Sequence, residues 1–333
     1  MLQKIIVLNF LAFLFAVGGG MLDAQDPQLR FSATDQANAW ERIPLERPPL
    51  PLWARILVEP LPKATVALIE LDNLHRAKNP VGTVLAGKLR WAVADAIGCE
   101  YGRKCAEADL RRAGVHEDEL LLITGTWKTL PEADREVVGF ARQLTVAGHE
   151  VSDNQVAELI GQFGTEQVVG IVHTVAFANF ENRLFLALDV ELEADGPLPP
   201  VELKIATGQQ GEVPVPPRRP WEEVLAMATS SDTTARVDWR QQDFSTLEKA
   251  LNRQQNRTPR IALPEASRLE SLPPDTRERT KKIIWSNVSV GYQPQLTGGW
   301  FRLMQVFRDE AVLDKVFANS VFWVVTRSNE CFY

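Results

Sequence analysis

Cysteine and histidine are scarce in this chain, three and four residues in 333, and their placement excludes more than their number does. Cysteines at 99, 105 and 331 are too few to staple a small disulfide scaffold. The histidines at 75, 116, 149 and 173 are too scattered to reach zinc-ligand spacing, so no metal and no other cofactor is expected. Basic blocks are missing too. The formal net charge is −7, which disfavours a nucleic-acid binder. Beyond the N-terminus there is no apolar run long enough to span a membrane. What remains is 45% hydrophobic and 24% charged, ordinary for a globular protein, with length for two domains and a substantial core.

The N-terminus has its own pattern. Lys4 precedes Ile5 to Val17, apolar but for Asn9, followed by Gly18-Gly19-Gly20 and Leu22-Asp23-Ala24. A charged start, a hydrophobic centre and a small residue read as a signal peptide over 1–24, cleaved near Ala24, with export to the periplasm or beyond. An uncleaved anchor is the rival reading, although the run falls short of the roughly 20 residues a span needs. Residues 25–59 are polar and then proline-rich, an extended lead-in.

From Pro60 the pattern is helical. Asn79-Pro80 stops a first helix, and Gly114 closes a pair of helices over Val84 to Ala113. His116 to Thr124 is a short helix, and Pro131 opens the next. Ser152 with Gln155 makes a capping box. Thr165 begins the longest helix, expected to reach about Glu193. Its segment Val168 to Ala178 is apolar nearly all round and reads as the most buried stretch, before Glu181, Asn182 and Arg183 break the run. Without an alternating strand pattern the fold class is all-α. Seven prolines between Gly196 and Pro220 predict a linker over 196–220. A second unit of weaker helical patterning then covers 221–333.

The two halves share a feature. Shifted by 316 − 84 = 232 positions, Val84 to Tyr101 lies over Val316 to Tyr333, with Trp91/Trp323, Cys99/Cys331 and Tyr101/Tyr333 among the identical pairs. Trp and Cys are rare, so their coincidence at one offset argues for a duplicated unit. In the first copy a helix ends near Gly98 and another begins from about Gly102, with Cys99 between them. A thiol at a helix N-terminus feels the positive end of the peptide dipole, which lowers its pKa and favours the nucleophilic thiolate. Cys99 and Cys331 are therefore the candidate catalytic residues, with a small buried junction residue as the alternative for Cys99. Cys105, six residues on, falls on another helix face, too far for an easy disulfide. His173, in the most apolar helix, reads as a core histidine, and Glu100, Glu107 and Asp109 as a solvated face.

Residues Pro60 to Glu193 resemble the carboxymuconolactone decarboxylase and alkyl hydroperoxidase D (AhpD-like) superfamily. The family motif runs Glu, eleven residues, Cys-x-x-Cys-x-x-x-His, then a helix ending Leu-x-x-Ala-Gly. Cys99-Glu100-Tyr101 matches its first cysteine and Leu110-Arg111-Arg112-Ala113-Gly114 its end, while Ser152-Asp153 and Asn179 to Leu184 are also similar. Val316 to Tyr333 resembles a partial second copy. The resemblance implies an all-helical repeat fold, commonly homo-oligomeric, acting on a peroxide or disulfide substrate as a thiol-dependent peroxidase or disulfide reductase. The motif departs where the family has its Glu, second Cys and His, which here are Gly87, Gly102 and Ala106. A non-catalytic helical assembly or binding module of the same fold is the alternative, and a lactone decarboxylase-type lyase a second one. In the second copy the next motif cysteine would fall at 334, one past Tyr333, so the gene is expected to read on into it and a His four residues later.

Overall fold

The computed structural model describes residues 49–125, 127–203, 245, 259–270, 284–311 and 313–328. All regular structure among the described residues is helical, as expected of an all-α chain. The signal-peptide segment and Cys331 lie outside the described residues. No described helix is long and apolar enough to cross a membrane.

The chain divides into two compact units, one formed by Met1–Val213 with Arg260–Ala311 and the other by Pro214–Pro259 with Val312–Tyr333. The first begins earlier than the sequence pattern implied. Part of the expected lead-in is helix α1, Leu52–Leu57, entered from Pro51. Its Trp53, Ala54 and Leu57 share a buried face, and the Trp53 ring lies 6.2 Å from that of Phe185. Burial of one large indole overrides the proline-rich composition around it.

Helix α2, Pro62–Ala77, starts on the proline that fits a first helical turn. Its stop is a built turn in which Asn79 donates to the His75 carbonyl and to Thr174 and accepts from the Val81 amide. Helix α3, Thr83–Ile97, ends at Gly98, whose φ of 74° is the left-handed conformation glycine adopts without strain. Helix α4, Glu100–Arg112, returns antiparallel to it. Helices α5 (Glu117–Thr124), α6 (Glu132–Ala147), α7 (Asp153–Phe163) and α8 (Thr165–Ala187) follow. The Ser152 and Gln155 capping box opens α7.

The most buried stretch is Ala86 to Ala94 in α3, buried at every position, because α2, α4, α6 and α8 all pack on that helix. Val168 to Ala178 in α8 is less enclosed than its apolarity implied, with Val172 and His173 half-buried and Ala176 exposed. Helix α8 also stops before Glu193, since Asp189 takes a φ of 50° just past its end. Glu181 and Asn182, which end its apolar run, are buried within it.

Residues 196–203, where the expected linker begins, carry no regular structure and are held against this unit. Arg112 donates to the Pro197 carbonyl, Arg76 donates to the Leu198 carbonyl, and Val201 is buried. Helices α9 (Ala266–Glu270), α10 (Ile284–Tyr292) and α11 (Pro294–Ala311) belong to the first unit, although the sequence pattern placed them in a second unit over 221–333. Helix α11 packs on α2 so closely that Gly299 has Leu71 Cδ1 2.9 Å from where a Cβ would stand. The Glu310 carboxylate accepts from the Lys63 and Ala64 amides at 2.9 and 2.8 Å, capping the α2 N-terminus from far along the chain. Glu310→Ala should therefore cost about 1 kcal/mol in urea unfolding, the usual worth of a cap. In the other unit, α12 (Lys315–Ser328) takes its N-terminal cap from Asp314, which accepts from the Val316 and Phe317 amides.

Candidate functional site

The α3–α4 junction sets the geometry of Cys99. The Gly98 turn delivers Cys99 as the N-cap of α4, with its amide donating to the Ala94 carbonyl and its Sγ accepting from the Gly102 amide at 3.4 Å. Sulfur here does what a serine or aspartate oxygen does at other helix starts. The sequence placed the thiol at a helix start correctly, but the consequence drawn for its pKa fails. Cys99 is 1% exposed, and burial pushes the thiol up to about 11, against which the Gly102 amide is a weaker opposing influence. Cys105 is buried also and pushed up to about 12, burial outweighing Arg76 and Arg90. Both cysteines are free.

The three departures from the family motif are filled by packing. A Cβ on Gly102 would stand 1.7 Å from Asn182 Oδ1 and 2.8 Å from its Cγ, so the Asn182 side chain occupies the place of a second cysteine. A Cβ on Gly87 would stand 2.7 Å from Leu110 Cδ2, so the leucine closing α4 takes the room of the upstream glutamate. Ala106 is fully buried in the core that holds Leu89 and Ile171, where a histidine would have no space. Asn182 is itself held, donating to the Ala178 carbonyl at 2.6 Å.

Behind the thiols lies an ionic cluster, and most of its members were not singled out from the sequence. Asp109 on α4 accepts from Arg76 Nε and Nη2 at 2.7 and 3.0 Å, from Arg90 Nη1 at 2.7 Å, and from Arg112. Arg76 also donates to Asp72 at 3.2 Å. Arg90 Nη2 stands 3.9 Å from Glu181 Oε2, and the neighbouring Asp72 carboxylate, after burial, pushes Glu181 upward. Asp109 is therefore not on a solvated face; it is the centre of a buried network, while Glu100 on the same helix is exposed. One signal was available. Arg90 sits between Leu89 and Trp91 and Asp72 follows Leu71, charges set into core-facing periods, with Asp72 and Arg76 at i,i+4.

His75 stacks on Phe177 with ring centroids 4.1 Å apart, and burial, followed by His173 and Arg90, holds it well below the usual imidazole range. His173 is held at about 4 by burial and has Thr297 Oγ1 3.4 Å from its Nε2. Both are neutral at pH 7. The two tryptophans paired by the sequence match differ sharply in burial, Trp91 being 4% and Trp323 46% exposed. No family model matches the chain, and no curated protein matches it.

Proposed function

We propose that this chain is an exported, homo-oligomeric AhpD-like protein whose first unit is a catalytically silent scaffold. Thiol-dependent peroxidase or disulfide-reductase chemistry then belongs to Cys331. The observation that carries the first part is the packing of Asn182 and Leu110 into the places of the family's second cysteine and glutamate. The match of Val84–Tyr101 to Val316–Tyr333 supports the second. At Cys331 the thiolate would attack a hydroperoxide, forming an S–O bond as the O–O bond breaks. The alkoxide takes up a proton, and a thiol reductant returns the sulfenic acid to thiol.

The test is hydrogen peroxide consumption with dithiothreitol as reductant. Cys99→Ala should leave the rate unchanged and Cys331→Ser should abolish it; loss in Cys99→Ala would overturn the reading. The non-catalytic module is favoured by the burial of Cys99 and is recognised by the absence of turnover in all three proteins. A lyase needs a basic group free to hold a carboxylate, whereas Arg76 and Arg90 are already engaged by Asp72 and Asp109.

A further inference from the structure

Within the buried part of the cluster carboxyls outnumber guanidinium groups, since Arg112, the third partner of Asp109, is 37% exposed. Arg76 and Arg90 supply two positive charges, and Asp72, Asp109 and Glu181 would supply three negative ones, all with side chains 6% exposed or less. An unbalanced charge without hydrogen bonds is not tolerated at such depth. Donor geometry identifies the neutral member. Asp109 takes four donated bonds, from Arg76, Arg90 and Arg112. Asp72 takes one from Arg76. Glu181 is different. Its Oε1 has no partner, and its nearest guanidinium nitrogen is 3.9 Å away because Arg90 is turned to Asp109. A carboxylate would not persist there. A carboxylic acid would, since its O–H can donate to the Asp72 carboxylate beside it.

We propose that the core of the first unit holds one proton on Glu181, donated to Asp72, and that this proton is a built-in alkaline-sensitive element of the fold. With it Glu181 and Asp72 share a hydrogen bond, and α2, α3, α4 and α8 are joined through the cluster. Without it Glu181 and Asp72 repel each other across the α2–α8 contact.

The pH window follows from the neighbours. A carboxyl that stays protonated only in the folded state gives stability that is full below the unfolded value, about 4.3, and declines as pH rises toward the folded one. His75 and His173 face the cluster or lie beside it. Both are depressed from 6.5, so they remove stability only on the acid side. Cys99 and Cys105 are raised from 9.0 and act only at higher pH. Asp109 is depressed from 3.8 and stays ionised throughout, and the two arginines stay charged. Between about pH 7 and 8 the slope of stability therefore reports Glu181.

The experiment is urea unfolding of the full chain across that range, wild type against Glu181→Gln. The amide reproduces the neutral donor but cannot titrate. Expected is a wild-type unfolding constant that rises with pH by up to about tenfold per unit, and a Glu181→Gln variant with no such slope that is at least as stable as wild type at pH 7, because an amide takes up no proton on folding. A wild type without the slope, or a Glu181→Gln chain much weaker at pH 7, would overturn the proposal. Infrared spectroscopy of the wild type needs no variant. The carbonyl stretch of an un-ionised carboxyl should be present at pH 7.5, and its absence would overturn the proposal equally.

Discussion

Gly102→Cys, which restores the second cysteine of the family motif, should destabilise the first unit by about 4 kcal/mol and form no disulfide with Cys99. The new Cβ would meet Asn182 Oδ1 at 1.7 Å, far inside contact distance. Asn182 can yield only by giving up its bond to the Ala178 carbonyl inside the core. Overpacking of this kind costs about 1–3 kcal/mol, and a broken buried hydrogen bond about 1–3 more. Combining Gly102→Cys with Asn182→Ala should recover more than half of the loss, leaving the tighter contact with Ala94 Cβ at 3.2 Å. Urea unfolding of Gly102→Cys, Asn182→Ala and the double variant measures the coupling. A Gly102→Cys chain as stable as wild type and joined to Cys99 would show that the dithiol site is still open.

The second large effect belongs to Asp109→Ala, expected to cost about 3–5 kcal/mol because two buried guanidinium groups lose their shared acceptor. Glu107→Ala, two residues earlier and paired with Lys104 nearer the surface, should change stability by no more than about 1 kcal/mol. Burial alone would raise the Asp109 carboxyl, but Arg76 and Arg90 more than reverse this and hold it below the usual range. The sign of the acid dependence follows. Its contribution is complete above the ordinary aspartate value, about 3.9, and is lost as pH falls through the folded value. Acid unfolding of wild type should therefore be steep, and Asp109→Ala should be the weaker protein at neutral pH with less left to lose in acid. Equal stability of the two aspartate and glutamate variants would show the network to be dispensable.

These effects separate what the sequence discloses from what it conceals. The Gly98 turn, the Ser152 capping box and the proline at the start of α2 are decided within a few residues, and each is where local chemistry puts it. The ionic cluster is not local. Asp72, Arg90, Asp109 and Glu181 sit on four helices, and each alone reads as an ordinary polar position. The same holds for Gly102 and Asn182, whose clash exists only once α4 and α8 are packed. Helix α11 was assigned to a second unit because its amphipathic pattern does not name the helix it covers, and Glu310 shows that helix to be α2. Cys99 combines both cases. Its position at a helix start was legible, but the degree of burial that decides its acidity was not.

Alkylation of Cys99 is the most direct measure of whether the first unit is silent. In a chain carrying Cys105→Ala and Cys331→Ser, the rate of reaction with iodoacetamide is followed against pH under native conditions. Burial predicts negligible labelling at pH 7 and a rate still climbing above pH 9 toward an inflection at about 11. Rapid labelling at pH 7 with an inflection near neutrality would mean that the helix dipole governs this thiol, and would contradict the account.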